Sequence, residues 1–129
     1  MPEKKMSKNI LIIDDETAIL KMLLKFFESQ GFEVYGVENA EEALEIASRK
    51  TFFCFFIDRN LAGADGADIF RLLKKEHPKA SFFAMTGDAT DVDRQECLDI
   101  GFDQCFFKPL EFALIREVAK SVFQKLGID

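Results

Sequence analysis

The chain has 129 residues, 48% of them hydrophobic, with no Pro- or Gly-rich stretch to act as an interdomain linker, which fits one domain. A net charge of −6 argues against broad attraction to nucleic acid or an anionic membrane, and no apolar run approaches a membrane span. Three cysteines without paired spacing suit a reducing, cytoplasmic setting rather than a disulfide framework.

Residues 1–8 are charged and lack the apolar core of a signal peptide, so they read as a flexible segment ahead of a domain spanning 9–127. The first candidate strand, Asn9–Ile13, ends at once in Asp14, Asp15 and Glu16. A helical stripe of Ile19, Leu20, Leu23, Leu24 and Phe27 follows, and Gly31 closes it. Glu33–Val37 reads as a second strand. Asn39 with Glu42 three residues later forms a helix-capping pattern, and Ala43, Leu44 and Ala47 would face inward behind it.

Phe52–Ile57 is apolar throughout, as expected of a central strand buried on both faces. Asp58, Arg59 and Asn60 come directly after it. A third helical stripe runs from Asp65 through Ile69, Phe70, Leu72 and Leu73 and stops before Pro78. Ser81–Met85 is the fourth strand, followed by Thr86, Gly87 and Asp88. A fourth helix spans Asp91 to Ile100 and ends at Gly101. The fifth strand, Gln104–Phe107, leads into Lys108-Pro109, and a last helix carries Leu114, Ile115, Val118, Ala119, Val122, Phe123 and Leu126.

Five strand–helix repeats predict an α/β fold, a doubly wound five-stranded parallel sheet joined by right-handed crossovers. In such sheets ligands collect beyond the carboxyl ends of the strands, where strand order reverses. With the order 2-1-3-4-5, the acidic ends of strands one and three become neighbours. Carboxylates so close repel unless a cation lies among them, and oxygen ligands without His or Cys select a hard ion such as Mg²⁺. Lys108 adds a second positive charge, Thr86 adds a hydroxyl, and Gly87 allows close backbone approach. An Asp in those surroundings is arranged to attack a phosphoryl group.

Taken together, Asp14-Asp15, Asp58, Thr86 and Lys108-Pro109 resemble the receiver domain of bacterial two-component response regulators, a flavodoxin-like fold, over about residues 8–126. The resemblance implies that Asp58 is the phosphoacceptor and that Thr86 and Lys108 hold the phosphoryl oxygens. It implies direct Mg²⁺ binding by Asp15, binding largely through water by Asp14, and a backbone carbonyl from Asn60, with Mn²⁺ able to substitute. Lys108-Pro109 would be a cis peptide. The donor would be a histidine kinase or a histidine phosphotransfer protein.

The same resemblance implies an output surface on helix 4, strand 5 and helix 5 for an unidentified downstream protein, with no direct nucleic-acid or membrane partner. Such a domain catalyses only its own phosphorylation and slow dephosphorylation, and Asn60 and Asp88 would influence the latter. Two positions depart from the family: Ala62 stands where Pro is usual, and Cys105 where Tyr, Phe or His is usual. With Cys105 the inward movement that carries the signal would fill less space, so Cys105, Asp88 and Pro109 are read as modulating positions. No effector domain is read in the chain.

Simpler roles exist for single residues. Asp14 and Asp15 could serve only the helix start. His77 reads as structural or solvated, the fifteen phenylalanines as core filling, and Cys105 as a buried thiol. Alternative functions are a receiver-like interaction module working without phosphorylation, a Mg²⁺-dependent phosphatase of the haloacid-dehalogenase type, and a flavin mononucleotide carrier. The phosphatase type needs its nucleophilic Asp at the end of strand one, with a second Asp two residues later where this chain has Glu16. The flavin carrier needs a hydroxyl-rich phosphate loop where this chain has three carboxylates.

Overall fold

Strand β1, Asn9–Ile13, lies between β2, Glu33–Val37, and β3, Cys54–Asp58, in a computed structural model that describes residues 8–87 and 91–128, with residues 91 and 92 as backbone only. Beyond β3 come β4, Ser81–Thr86, and β5, Gln104–Phe107, all parallel, so the sheet runs β2-β1-β3-β4-β5. The doubly wound order expected from the sequence is present. Helices α1 (Thr17–Ser29), α2 (Ala40–Arg49), α3 (Gly66–Glu76), α4 (Asp91–Ile100) and α5 (Phe112–Lys125) connect or follow the strands.

Side-chain alternation along each strand divides the core into two layers. Ile10, Ile12, Cys54, Phe56, Phe83, Met85 and Phe106 pack against Leu20, Leu23 and Phe27 of α1 and Ile115, Ala119 and Phe123 of α5. Leu11, Ile13, Phe55, Ile57, Phe82, Ala84 and Cys105 face the other way, onto Ala43 and Ala47 of α2, Ile69, Phe70 and Leu73 of α3, and Cys97 of α4. Phenylalanine fills both layers, with Phe55 stacked on Phe82 at 4.6 Å between ring centroids and Phe70 on Phe102 at 4.5 Å. These rings are core filling.

Local chemistry sets the helix ends. The Asn39 side chain caps α2 as predicted, accepting from the backbone N–H of Glu42 at 2.9 Å, and its amide donates to the Glu42 carboxylate. Gly31 and Gly101 take positive φ values of +86° and +121° just past α1 and α4, a conformation that side chains disfavour. His77 follows α3, its ring edge-on to Phe55 and its Nε2 3.2 Å from the Ala47 carbonyl, in a structural role.

Several boundaries differ from the sequence expectation: β3 and β4 each run one residue further than read, through Asp58 and Thr86. Strand β3 begins at Cys54, not Phe52, because its pairing with β1 starts at Ile10 opposite Cys54; Phe52 precedes the ladder and still buries its ring. The stretch after Asp58, read as loop, contains a two-residue antiparallel ladder of Asn60–Leu61 with Ala64–Asp65, turned by Gly63 at φ +77°. Within the N-terminal segment only Lys8 is described, and its carbonyl accepts from the Glu33 N–H while its ammonium lies over the Phe32 ring. Among the described residues no helix is long and apolar enough to cross a membrane.

Candidate functional site

Parallel register determines which residues meet at the carboxyl ends of the strands. Ile13 pairs with Ile57, so the next residues, Asp14 and Asp58, stand side by side at the ends of β1 and β3. Asp58 pairs with Met85, which places Thr86 one step further on β4, and Thr86 pairs with Phe107, which brings Lys108 to the same rim. The Lys108 N–H donates to the Thr86 carbonyl at 2.8 Å, tying the last two ends together. Lys108-Pro109 is cis, as expected.

Four of the predicted residues therefore converge. Asp14 is fully buried, and Asp58 and Thr86 are each 3% exposed, so these polar groups are withdrawn from solvent among apolar strands. Lys108 Nζ lies 3.1 Å from Asp14 Oδ2 and 3.1 Å from Asp58 Oδ2. The other oxygens of the two acids are held by the chain itself: Asp14 Oδ1 accepts from the Glu16 N–H and Asp58 Oδ1 from the Asn60 N–H, each at 2.9 Å. The Asn60 side-chain amide reaches the Thr86 hydroxyl at 3.4 Å.

Asp15 points elsewhere. Its carboxylate accepts from the backbone N–H of Ala62 at 2.8 Å, which anchors the loop after β3. Glu16 takes its place in the acidic group: carboxylate oxygens of Asp14, Glu16 and Asp58 lie within 4.8 Å of one another, and Glu16 Oε1 is 2.7 Å from Lys108 Nζ. The sequence placed Glu16 at the right strand end but held no sign that its side chain would turn back onto Lys108. Asp88 lies outside the described residues.

The electrostatics follow from this crowding. Burial pushes the Asp14 pKa up to about 6; repulsion from Asp58 adds to this, while the Glu16 N–H and Lys108 pull against it. For Lys108, burial favours the neutral amine, but the contacts with Glu16, Asp14 and Asp58 outweigh it and hold the ammonium above the ordinary lysine range. One ammonium is thus shared among three carboxylates, which leaves a net negative pocket. Asp14 Oδ2 is buried, and the Lys108 ammonium 3.1 Å away is the cation it faces. The all-oxygen donor set of Asp14, Glu16 and Asp58 fits a hard divalent cation.

A β-carbon on Gly66, the first residue of α3, would run into the Asp58 carbonyl oxygen and come within 2.9 Å of Arg59 Cα, so glycine lets α3 start directly against the strand that carries Asp58. Gly87, read as a point of close approach, has nothing within 4 Å of such a carbon. Cys105 faces α4, with Phe106 on the opposite side of the sheet. Burial, and then a hydrogen bond with Cys97, push the Cys105 thiol up to about 12. All three cysteines are free and buried.

The model of the response regulator receiver domain family matches residues 10–120. The transcriptional regulatory protein SrrA of Staphylococcus aureus (strain NCTC 8325 / PS 47) is 32% identical over 104 residues, which cover 81% of this chain and 43% of that protein. The chain thus spans less than half the length of the curated relatives it matches. A CheY-like response regulator receiver domain protein from Methanospirillum hungatei JF-1 superposes with a TM-score of 0.83 at 26% identity, covering 95% of this chain and 98% of the other. A response regulator from Burkholderia pseudomallei, solved with a phosphorylated aspartic acid, a calcium ion and citrate, gives 0.78 at 25% identity, with 95% and 72% covered.

Proposed function

The chain belongs to the response regulator receiver domain family, and from that premise we propose that it is a phosphorylation switch whose acceptor is Asp58. The observation that carries this reading is the pairing of a nearly fully buried Asp58 with Lys108 at 3.1 Å, beside a second buried carboxylate one strand away. Burying two acids around one ammonium costs stability, and a site that handles a transferred phosphoryl group accounts for that cost.

The donor is a phosphohistidine on a histidine kinase or histidine phosphotransfer protein, or a small acyl phosphate. A carboxylate oxygen of Asp58 attacks phosphorus, a P–O bond forms, and the bond from phosphorus to the donor breaks with its electron pair leaving on the donor. Thr86 supplies a hydroxyl and Lys108 an ammonium to the phosphoryl oxygens, both already fixed at the strand ends. Asp14, Asp15, Asp58 and the Asn60 carbonyl would hold Mg²⁺, with Glu16 beside them. When bound, the ion neutralises charge on the acidic pocket and on the transferred group. The Burkholderia neighbour's phosphorylated aspartic acid and calcium ion support the same chemistry here.

Output passes to a downstream protein over the face of α4, β5 and α5. Leu98 on α4 and Leu114 on α5 are exposed apolar side chains on two of these elements, as Met22 on α1 and Leu72 on α3 are elsewhere. Histidine kinases of two-component systems operate on receivers in the cytoplasm, and this chain is assigned there with its domain at 9–127. Treatment of the purified chain with acetyl phosphate, read as intact mass beside Asp58→Asn, tests the acceptor.

A further inference from the structure

We infer that Arg59, the residue after the phosphoacceptor, is the positioning residue that transmits the state of Asp58 to helix α4. The inference rests on the reading of Asp58 as acceptor. The backbone of Arg59 is held from both sides: its N–H donates to the Met85 carbonyl of β4 at 2.9 Å and its own carbonyl accepts from the Gly66 N–H at 3.2 Å. The side chain therefore leaves from a fixed point on the strand end. Only 14% of it is exposed.

From there the guanidinium crosses to α4, where Nη2 is 3.2 Å from Glu96 Oε1 and Nη1 is 3.5 Å from Cys97 Sγ. On its other side Nη2 stands 4.0 Å from Asp65 Oδ1, and that carboxylate also caps α3 by accepting from the Ala67 N–H. Cys97 lies in the same buried core layer as Cys105 of β5. Burial opposes the charged guanidinium, and its contacts with Cys97 and Glu96 outweigh that opposition. A single cation thus ties the residue next to Asp58 to the cap of α3 and to α4.

One donor of this side chain is unspent: Nε is buried and has no hydrogen-bond partner among the described residues. Phosphorylation replaces the single carboxylate charge with an acyl phosphate carrying about two, a net gain of about one negative charge on the adjacent residue. The guanidinium then divides its attraction between the new anion and Glu96, and α4, which it holds through Glu96 and Cys97, responds. Charge at Asp58 is converted into a change in the tether of α4, which gives the coupling a definite physical carrier.

Hydrogen exchange across residues 91–100 of the full chain, with and without Mg²⁺ and acetyl phosphate, reads that tether, while intact mass reads phosphoryl occupancy in the same samples. Phosphorylation of the wild type changes exchange in α4 by about threefold, the size expected of a partly exposed ion pair. Arg59→Ala gains the phosphoryl group but loses that response, Arg59→Lys keeps part of it, and Glu96→Gln, at a half-exposed site that does not threaten folding, loses it from the other side. A purely structural role would change exchange equally in both states. An α4 response that survives Arg59→Ala or Glu96→Gln, with occupancy confirmed, overturns the inference alone. No gain of mass in the wild type overturns the acceptor reading, and this inference with it.

Discussion

The Nζ of Lys108 lies 3.1 Å from Oδ2 of Asp58, although 50 residues separate them in the chain, and the same nitrogen is 3.1 Å from Asp14 Oδ2. Removing this ammonium leaves two buried carboxylates facing each other with nothing between them. Lys108→Met is expected to destabilise the metal-free protein by about 1–3 kcal/mol, since an unpaired buried charge is costly. Added Mg²⁺ should restore much of the loss. Thermal unfolding with and without 10 mM Mg²⁺, a concentration chosen as roughly saturating for weak carboxylate sites, checks both halves.

Asp14 gives a dependence on pH. Burial raises its pKa from 3.8 to about 6, so between those values the folded chain holds a proton that the unfolded chain has released. The metal-free protein is therefore stabilised below this window, and that contribution is lost as pH rises through about 6. Asp14→Asn keeps the acceptor for the Glu16 N–H and removes the charge. It should stabilise the metal-free protein by about 1–2 kcal/mol at pH 8, with the gap narrowing at pH 5. A gap that widened on acidification would contradict the placement of this charge.

Asp15 and Glu16 divide a question between them. Asp15 holds the Ala62 N–H, whereas Glu16 sits in the acidic group with its charge already matched by Lys108. Asp15→Asn is expected to weaken Mg²⁺ binding by about tenfold or more, and Glu16→Gln by no more than about threefold. Titration calorimetry gives the ranking. The reverse order would assign the metal to Glu16.

Gly66 is a steric prediction. Any side chain there meets the backbone of Asp58 and Arg59, neither of which is free to yield. Gly66→Ala should cost about 2–3 kcal/mol and displace the acceptor strand end, which lowers the rate of phosphorylation as well. At Gly87, where a β-carbon has open space, the same substitution should cost well under that.

What could be read from the sequence was whatever strand register alone determines. Each apolar run ended in a polar residue, and once the runs were parallel in the order found, Asp14, Asp58, Thr86 and Lys108 had to share one rim. Contacts made by long side chains across loops were not readable. Glu16 turning onto Lys108, Asp15 turning away to Ala62, and Arg59 crossing to Glu96 all depend on where loops and helices come to rest. Nor could the sequence say which glycine is under steric pressure, because Gly66 and Gly87 look alike until α3 is packed against β3. The start of β3 was misjudged for a related reason: Phe52 and Phe53 have strand-like chemistry, but β1 offers them no ladder partner.

The central claim is that Asp58 accepts a phosphoryl group. Purified protein incubated with acetyl phosphate and Mg²⁺, then measured by intact mass, should gain the mass of one phosphoryl group. That gain should disappear without Mg²⁺ and in Asp58→Asn. A wild-type chain that binds Mg²⁺ but gains nothing, or an Asp58→Asn variant that gains as much as the wild type, would contradict the account.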